Sequence, residues 1–361
     1  MTTSFDPRSL TCPIVAAPMA GGPSTPALVA AVSSAGGLGF LAAGYQTVDQ
    51  LRREVDEVRS LLPVGQPFGV NLFVPSRRHA NPAEISAYTD RLGAEARRRG
   101  VRLGEPRWDD DGYPAKLDQL CAHPVPVVSF TFGCPPRSDV TRLQSVGSAV
   151  WVTVTTVPEA RTGQHVGADA LVVQGVEAGG HRGGFDDARP GDIGLLALLQ
   201  LITDSLDGPP PLIASGGLCT GSGIAAALTA GALAAQLGTA FLLSPEAGTH
   251  PIHRAMISRG DRPTALTRAF TGRTARGITN QFVLDFEGAP SAYPEVHHLT
   301  GPLRAAARSS GDAEGCHLWA GQAYALARPT PAGRLTYELT TQTAAALRRT
   351  SVQDGTTKEW S

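Results

Sequence analysis

Charge and aromatic rings are both scarce in this chain: 17% of its 361 residues are charged and 6% are aromatic. So little charge excludes a solvated disordered chain and a coiled coil. Lys and Arg number 31 against 32 Asp and Glu, so there is no basic field for a phosphate backbone, and nucleic acid is not an expected partner. The five cysteines (Cys12, Cys121, Cys134, Cys219 and Cys316) are scattered, with no C-x-x-C pair. That argues against a disulfide framework and a structural zinc, and for reduced thiols used as small core residues. No histidine or carboxylate cluster has metal-ligand spacing, so no metal is expected, and neither a G-x-S-x-G elbow nor a Walker A loop occurs. Residues 9–48 and 208–245 hold no charge, yet Gly, Pro, Ser and Thr interrupt both before a continuous apolar span of about 20 residues is reached. A soluble cytoplasmic protein without a membrane partner is expected.

What the chain does have is apolar runs bounded by turn residues. They lie at 13–19, 37–43, 68–74, 125–133, 149–155, 169–175, 211–217 and 234–243. Uncharged runs of this kind suit parallel strands covered on both faces. Most gaps between them read as helices. Residues 49–62 place Leu51, Val55, Val58 and Leu62 on one face behind Asp49 as a possible N-cap, and 192–204 and 221–232 supply two more. Eight such strands alternating with helices predict an α/β fold, a TIM (β/α)8 barrel. An open doubly wound sheet is the alternative, but no G-x-G-x-x-G follows the first strand. Two regions break the rhythm: an over-long connection at 76–118, with a helix near 84–99, and a tail with helical segments near 300–309 and 315–327. Together they predict a smaller, mostly helical cap, made by the insertion after strand 3 and the C-terminal tail. The barrel is expected over 1–75 and 119–300, the cap over 76–118 and 301–361. The last dozen residues read as frayed.

Ligands of such barrels sit where strands end. Glycines after the seventh and eighth strands (Gly216, Gly217 and Gly238, with Leu237 and Thr239) can turn backbone N–H groups toward a phosphate, although tight turns alone would also explain them. Asn71 and Gln174 end strands three and six. Their amides suit a ring with alternating N–H and C=O edges, such as the pyrimidine side of a flavin; a buried amide satisfied by loop backbone is the alternative for each. Among nine histidines, His181 stands out in a glycine-rich loop where no apolar face explains it, a place for acid–base work near neutral pH. His297, His298, His250 and His253 read as surface or supporting positions. A barrel with a phosphate site but no nucleophile and no metal points to chemistry carried by a cofactor.

The segments AAPMAGG (16–22), GVNLF (69–73), QGVEAGGHRGG (174–184), ASGGL (214–218) and QLGTAF (236–241) resemble the nitronate monooxygenase family, as do ARGITNQFV (275–283) and LWAGQ (318–322). The resemblance implies FMN held without a covalent bond. Its contacts fall on Asn71, Gln174, Gly179, Gly180, Gly216, Gly217 and Gln236 through Thr239, with the backbone of Ala17, Pro18 and Met19 beside the ring. His181 matches the family's catalytic histidine. The implied reaction oxidises an alkyl nitronate such as propionate 3-nitronate with O2, giving a carbonyl compound and nitrite, with a small-molecule substrate and O2 as partners. Thr131 stands where members often carry a second histidine; with Tyr293 and Gln322 it is a candidate for the substrate pocket. A flavin-dependent enoyl-acyl-carrier-protein reductase using NAD(P)H shares the barrel and the histidine loop, and a flavin-binding protein without turnover is a third reading. The sequence admits a homodimer without specifying one.

Overall fold

A strand with no polar face is stable only inside a molecule, and the chain's apolar runs are placed accordingly. A computed structural model describes residues 5–75 and 81–353. Its strands are β1 (Ile14–Ala16), β2 (Leu38–Ala42), β3 (Gly69–Phe73), β4 (Val127–Thr131), β5 (Ala149–Val154), β6 (Ala170–Gln174), β7 (Gly180–His181), β8 (Leu212–Ser215), β9 (Ala234–Leu237), β10 (Thr264–Thr267) and β11 (Ala275–Ile278). Eight of them form a closed parallel barrel in the order β1-β2-β3-β4-β5-β6-β8-β9, with Val15 of β1 registered on Gln236 of β9 at the seam. Each of the eight apolar runs holds one barrel strand, and the fold is the TIM barrel. Inside it, Phe40 packs on Trp151 at 5.5 Å between ring centroids, among Val15, Val127, Val172 and Ile213.

The helices are α1 (Pro26–Ser34), α2 (Val48–Leu61), α3 (Pro82–Arg99), α4 (Tyr113–Ala122), α5 (Arg137–Ser145), α6 (Val157–Val166), α7 (Leu195–Ser205), α8 (Gly221–Thr229), α9 (Pro251–Arg259), α10 (Gln281–Asp285), α11 (Glu295–Ser309) and α12 (Ala332–Gln353). Helix α2 buries the expected Leu51, Val55 and Val58, but its N-cap is Thr47, not Asp49. The Thr47 hydroxyl accepts from Gln50 N–H and the Gln50 side chain returns the bond, which leaves Asp49 to complement the dipole in the first turn. No described helix is long and apolar enough to cross a membrane.

The cap takes in chain that the sequence assigns to the barrel. Helix α3 buries Tyr88 and Leu92 against Phe270, Phe282, Phe286, Val296, Leu299 and Leu303, so 264–300 packs with the insertion. A small antiparallel sheet, β10-β11-β7, joins this unit to the loop after β6. Residues 315–327 hold no α-helix. Ile278 N–H donates to Leu318 O and Trp319 bridges Gly277, so the segment runs beside β11 before a single 3-10 turn at Tyr324–Leu326. The tail departs further from expectation. Leu335 and Leu339 of α12 pack with Ile14, Leu28 and Ile224 of the barrel shell, and a Cβ on Gly221 would stand 2.3 Å from Gln342 Cβ. Glu246 holds its start by accepting the Ala332 N–H at 3.0 and 3.1 Å. The first residues of the insertion, 76–80, and the end of the tail, 354–361, lie outside the described residues.

Trp151 is fully buried, and its Nε1–H has no partner among the described residues. Trp151→Ala should therefore cost about 3–5 kcal/mol. Trp151→Phe also removes the unpaired donor and should cost less than half as much. Denaturant titration of both variants measures this; equal losses would show that the indole N–H is satisfied.

Candidate active site

The barrel strands end in one cavity of about 1020 Å³, roofed by the cap. Its floor includes Ala17, Pro18 and Met19 after β1, Asn71 in β3 and Thr131 at the end of β4, followed by Gln174, Gly179, Gly180 and His181 after β6. Gly216 and Gly217 after β8, and Gln236 through Thr239 at β9, complete it. The expected site residues are thus brought together, with two exceptions. Gln322 is exposed and only its backbone is engaged, donating to Glu177 O at 3.0 Å. Tyr293 stands behind the lining, against His181 at 5.9 Å and Phe132 at 5.5 Å between ring centroids.

Gly216 and Gly217 have φ of +120° and +68°, a backbone that L side chains rarely adopt. The N–H groups of Gly216, Gly217 and Gly238 donate to no other group among the described residues. Three unused donors at one cavity wall form a ready anion cradle. Thr239 has a structural task as well: its hydroxyl accepts the Gly321 N–H at 3.0 Å and ties the cradle to the segment carrying Trp319. Nearby, Ser24 pins the β1 end, accepting from Met19 N–H at 2.9 Å and donating to Ala17 O at 3.3 Å.

The two amides are more committed than their residue types suggest. Asn71 Nδ2 is within 3.2 Å of Ser129 O, Ser129 Oγ and Thr131 Oγ1, which spends both its protons on β4. Gln174 donates to His181 O at 3.0 Å and accepts from Gly183 N–H at 2.8 Å and Arg182 Nη1 at 3.2 Å. The loop carrying His181 is therefore clamped by the amide at the end of its own strand.

His181 sits in β7, registered on Ala275 of β11. Its Nε2 is 2.9 Å from Thr271 Oγ1, and its ring lies 5.6 Å from Phe132 and 5.5 Å from Trp319. Burial, helped by the Arg273 guanidinium, pushes its pKa down to about 3. The ring is neutral at pH 7. Arg273 itself is buried, over the Phe132 face at 4.1 Å, and donates to Arg182 O and Gly184 O. Among the described residues, three non-glycine positions have positive φ: Tyr45, Asp111 and Phe132, all in or just behind this wall. Asp111 holds Tyr45 in place, accepting its N–H at 2.9 Å and Lys116 Nζ at 2.7 Å. Tyr45 then stacks on His297 at 4.3 Å and receives the Tyr293 hydroxyl at 3.2 Å. Left-handed conformations that cost on the order of 1–3 kcal/mol each gather where geometry matters most.

His253 and His297 line the cavity rather than the surface, as does His317. Burial lowers His253 to about 4 and His297 to about 2, the latter with help from Arg304. None of the three carries a local signal in sequence; His317 precedes the L-W-A-G-Q stretch and is aimed inward only because that stretch runs beside β11. No group of three metal-binding side chains exists among the described residues.

The sequence profile of the nitronate monooxygenase family matches residues 7–342. A probable nitronate monooxygenase of Staphylococcus aureus (strain MSSA476) is 38% identical over 345 residues, which span 92% of this chain and 95% of that one. The chain belongs to the nitronate monooxygenase family. A nitroalkane oxidase from Streptomyces ansochromogenes superposes with a TM-score of 0.90 at 48% identity, over 96% of this chain and 99% of that one. The enzyme is a flavin-dependent oxidoreductase. FabK of Thermotoga maritima, an enoyl reductase, is more distant, with a TM-score of 0.73 at 27% identity over 96% and 97%, so the reductase alternative is not favoured.

The neutral histidines of this family member make its stability acid-sensitive. Their folded pKa values lie below the ordinary 6.5, so the unfolded chain takes up protons first as the pH falls. Their contribution is complete above about pH 6.5 and lost toward pH 4, on the order of 1–2 kcal/mol per histidine by pH 5. Denaturant titrations of the holoenzyme at pH 7 and pH 5 should show this loss, and His297→Phe should show less of it. A wild-type stability that is flat between the two would contradict a neutral histidine set.

Proposed function

We propose that the enzyme binds FMN and oxidises alkyl nitronates with O2 to a carbonyl compound and nitrite. What supports this is a donor-lined glycine cradle and a neutral histidine in one cavity, in a chain of this family. The cavity volume lies at the upper end of ordinary ligand sites, enough for a flavin nucleotide with a small substrate beside it. Gly216, Gly217 and Gly238 would hold the phosphate through their unused N–H groups, and the Ala17–Met19 backbone would lie along the ring. Asn71 would present its oxygen to the pyrimidine edge, both its protons being spent on β4, and Gln174 its one remaining amide proton, its oxygen already accepting twice. When bound, the flavin accepts the electrons of the substrate and passes them to O2.

The protein's own contribution centres on His181. Thr271 has a single hydroxyl proton, which goes either to His181 Nε2, 2.9 Å away, or to Arg273 O at 3.2 Å. With the proton on the shorter bond, Nε2 accepts, and the imidazole carries its own proton on Nδ1. Such a ring donates a hydrogen bond to an anionic nitronate oxygen while staying neutral. A histidine with so low a pKa is a weak base, which suits a substrate that arrives already deprotonated better than removal of a proton from carbon. Phe132, Trp319 and Tyr293 surround the ring and lower the local dielectric, which strengthens that bond. Thr131, between Asn71 and Thr153, widens the β4 side of the pocket.

Nitrite release in air, measured with propionate 3-nitronate and separately with its parent nitro acid, tests the reading. The nitronate should react and the parent should lag; turnover that requires NADPH would remove the proposal. His181→Asn should keep its flavin and lose roughly ten- to a thousandfold in kcat/KM. Gly217→Val should fold yet lose most of its flavin, because its Cβ would sit 3.0 Å from Glu177 Cβ at a positive φ and displace the donor. A fully loaded Gly217→Val protein would count against the cradle.

A further inference from the structure

Tyr45 and His181 line the same cavity, and packing alone does not explain how Tyr45 is held. Its backbone has a φ of +67°, a costly conformation for a residue with a bulky side chain. Asp111, itself at a φ of +55°, keeps it there by accepting the Tyr45 N–H at 2.9 Å. Behind Asp111 stands the buried Lys116, which donates to Asp111 Oδ2 at 2.7 Å and to Ala43 O at 2.8 Å. The ring is fixed as well: it stacks on His297 at 4.3 Å with the planes 2° apart, and meets Phe73 edge-on at 5.5 Å. His297 is held in turn by Arg304, whose Nη2 donates to its carbonyl oxygen at 2.6 Å and to its Nδ1 at 3.3 Å. A ring that only filled space would need neither the strained backbone nor the buried ion pair. The hydroxyl has one bond and one uncommitted proton. Tyr293 Oη donates to Tyr45 Oη at 3.2 Å, and no described residue accepts the Tyr45 proton. Burial pushes the Tyr45 pKa up to about 12, so this proton is present throughout the physiological range. Donation from Tyr293 polarises the second O–H and strengthens it as a donor.

We propose that Tyr45 is a second hydrogen-bond donor to the reacting group, so that the site grips both oxygens of a nitronate, His181 Nδ1–H on one and Tyr45 O–H on the other. Both residues abut Tyr293: His181 at 5.9 Å between ring centroids, Tyr45 through its hydroxyl. A small planar anion lying against Tyr293 therefore meets both donors. The ligand class this pair selects is a planar anion with two oxygens on one atom, which includes the nitronate and the nitrite it releases. The effect on rate follows from where the charge goes. A nitronate carries its negative charge on those oxygens and loses it as its electrons leave, so the second donor stabilises the bound substrate more than the transition state. Tyr45 sets affinity rather than turnover. This inference rests on the nitronate reading of the same cavity.

The test compares wild-type holoenzyme with Tyr45→Phe, which keeps the stacking on His297 and removes a single hydroxyl. Nitrite is titrated under anaerobic conditions by the perturbation of the flavin absorbance, a readout that needs no turnover. Its Kd should rise about ten- to a hundredfold in the variant, as expected for a hydrogen bond to a charged group. With the nitronate of 1-nitropropane, kcat/KM should fall by a similar factor, the loss lying in KM and kcat staying within about threefold of wild type. Tyr293→Phe leaves the Tyr45 proton in place and should lose less than Tyr45→Phe in both measurements. Equal nitrite affinity in wild type and Tyr45→Phe would overturn the proposal, and so would a loss confined to kcat. A Tyr45→Phe protein short of flavin would overturn it too, since the hydroxyl would then serve the cofactor. If neither enzyme oxidises the nitronate while nitrite still binds, the nitronate reading falls and the titration alone decides the role of Tyr45. A wild type that does not bind nitrite would remove the two-oxygen grip itself.

Discussion

The site depends on a seam of two residues. β7, Gly180–His181, is a strand only because β11 of the cap pairs with it, and that pairing sets where the histidine ring goes. Behind the seam lie buried arginines whose partners are mostly carbonyl oxygens. Arg182 donates to Gly175 O at 2.6 Å and to Pro190 O at 3.2 Å, and Arg273 reaches back to Arg182 O and Gly184 O. Carbonyls satisfy a guanidinium without a compensating charge, so the cost of burial is offset by geometry, and a small displacement forfeits several bonds together. Asp187 supplies the neutralising charge, accepting Thr274 N–H at 2.8 Å, Arg268 Nε at 2.8 Å and the Ser291 hydroxyl at 2.9 Å. Barrel and cap are thus joined by a network that breaks as a unit.

That network explains why one loop was legible in sequence and its supports were not. His181 announces itself because a polar ring among glycines has no core role. Gly216, Gly217 and Gly238 are equally legible, because their places at strand ends mean something in a barrel. Gln174 was visible as an amide at a strand end, but its partners lie in a loop seven to nine residues on, and only the folded loop decides between a ligand and the backbone. Tyr45, Thr271, Arg304 and His317 are ordinary residues in ordinary stretches; they reach the cavity through the packing of α3, α11 and β11, which no local period encodes. Helix α12 escaped for a related reason. Its Thr- and Ala-rich face is only weakly apolar, and it is buried because Gly221 lets two helices approach closely.

The barrel and the cap hold their parts by different means. Barrel strands are fixed by ladder hydrogen bonds and an apolar interior, which tolerates conservative exchange of side chains. The cap side is fixed by buried arginines, strained backbone and aromatic edges, none of which tolerates exchange. The glycine cradle sits on the first kind of support, and His181 with its aromatic neighbours sits on the second. Thr131 is instructive because it lies at the border. It is at the end of β4 and hydrogen-bonds with Asn71 and Thr153, so its exchange alters pocket volume without touching the seam.

The electrostatic consequence is a cavity biased toward anions without depending on protonation. Arg182, Arg273, Arg276 and Arg304 are all buried around it; burial first, and then the charges of Arg273 on His181 and of Arg304 on His181, His297 and His317, keep these histidines neutral. Had the positive charge resided on the histidines, affinity for an anion would fall steeply above pH 6.5. With the charge on guanidinium groups it persists across the physiological range, and the histidines are freed to act as neutral donors. An anion entering this field would be stabilised before any bond is made or broken. The same field opposes an incoming proton, which keeps His181 in the one protonation state that hydrogen-bonds an anion without neutralising it.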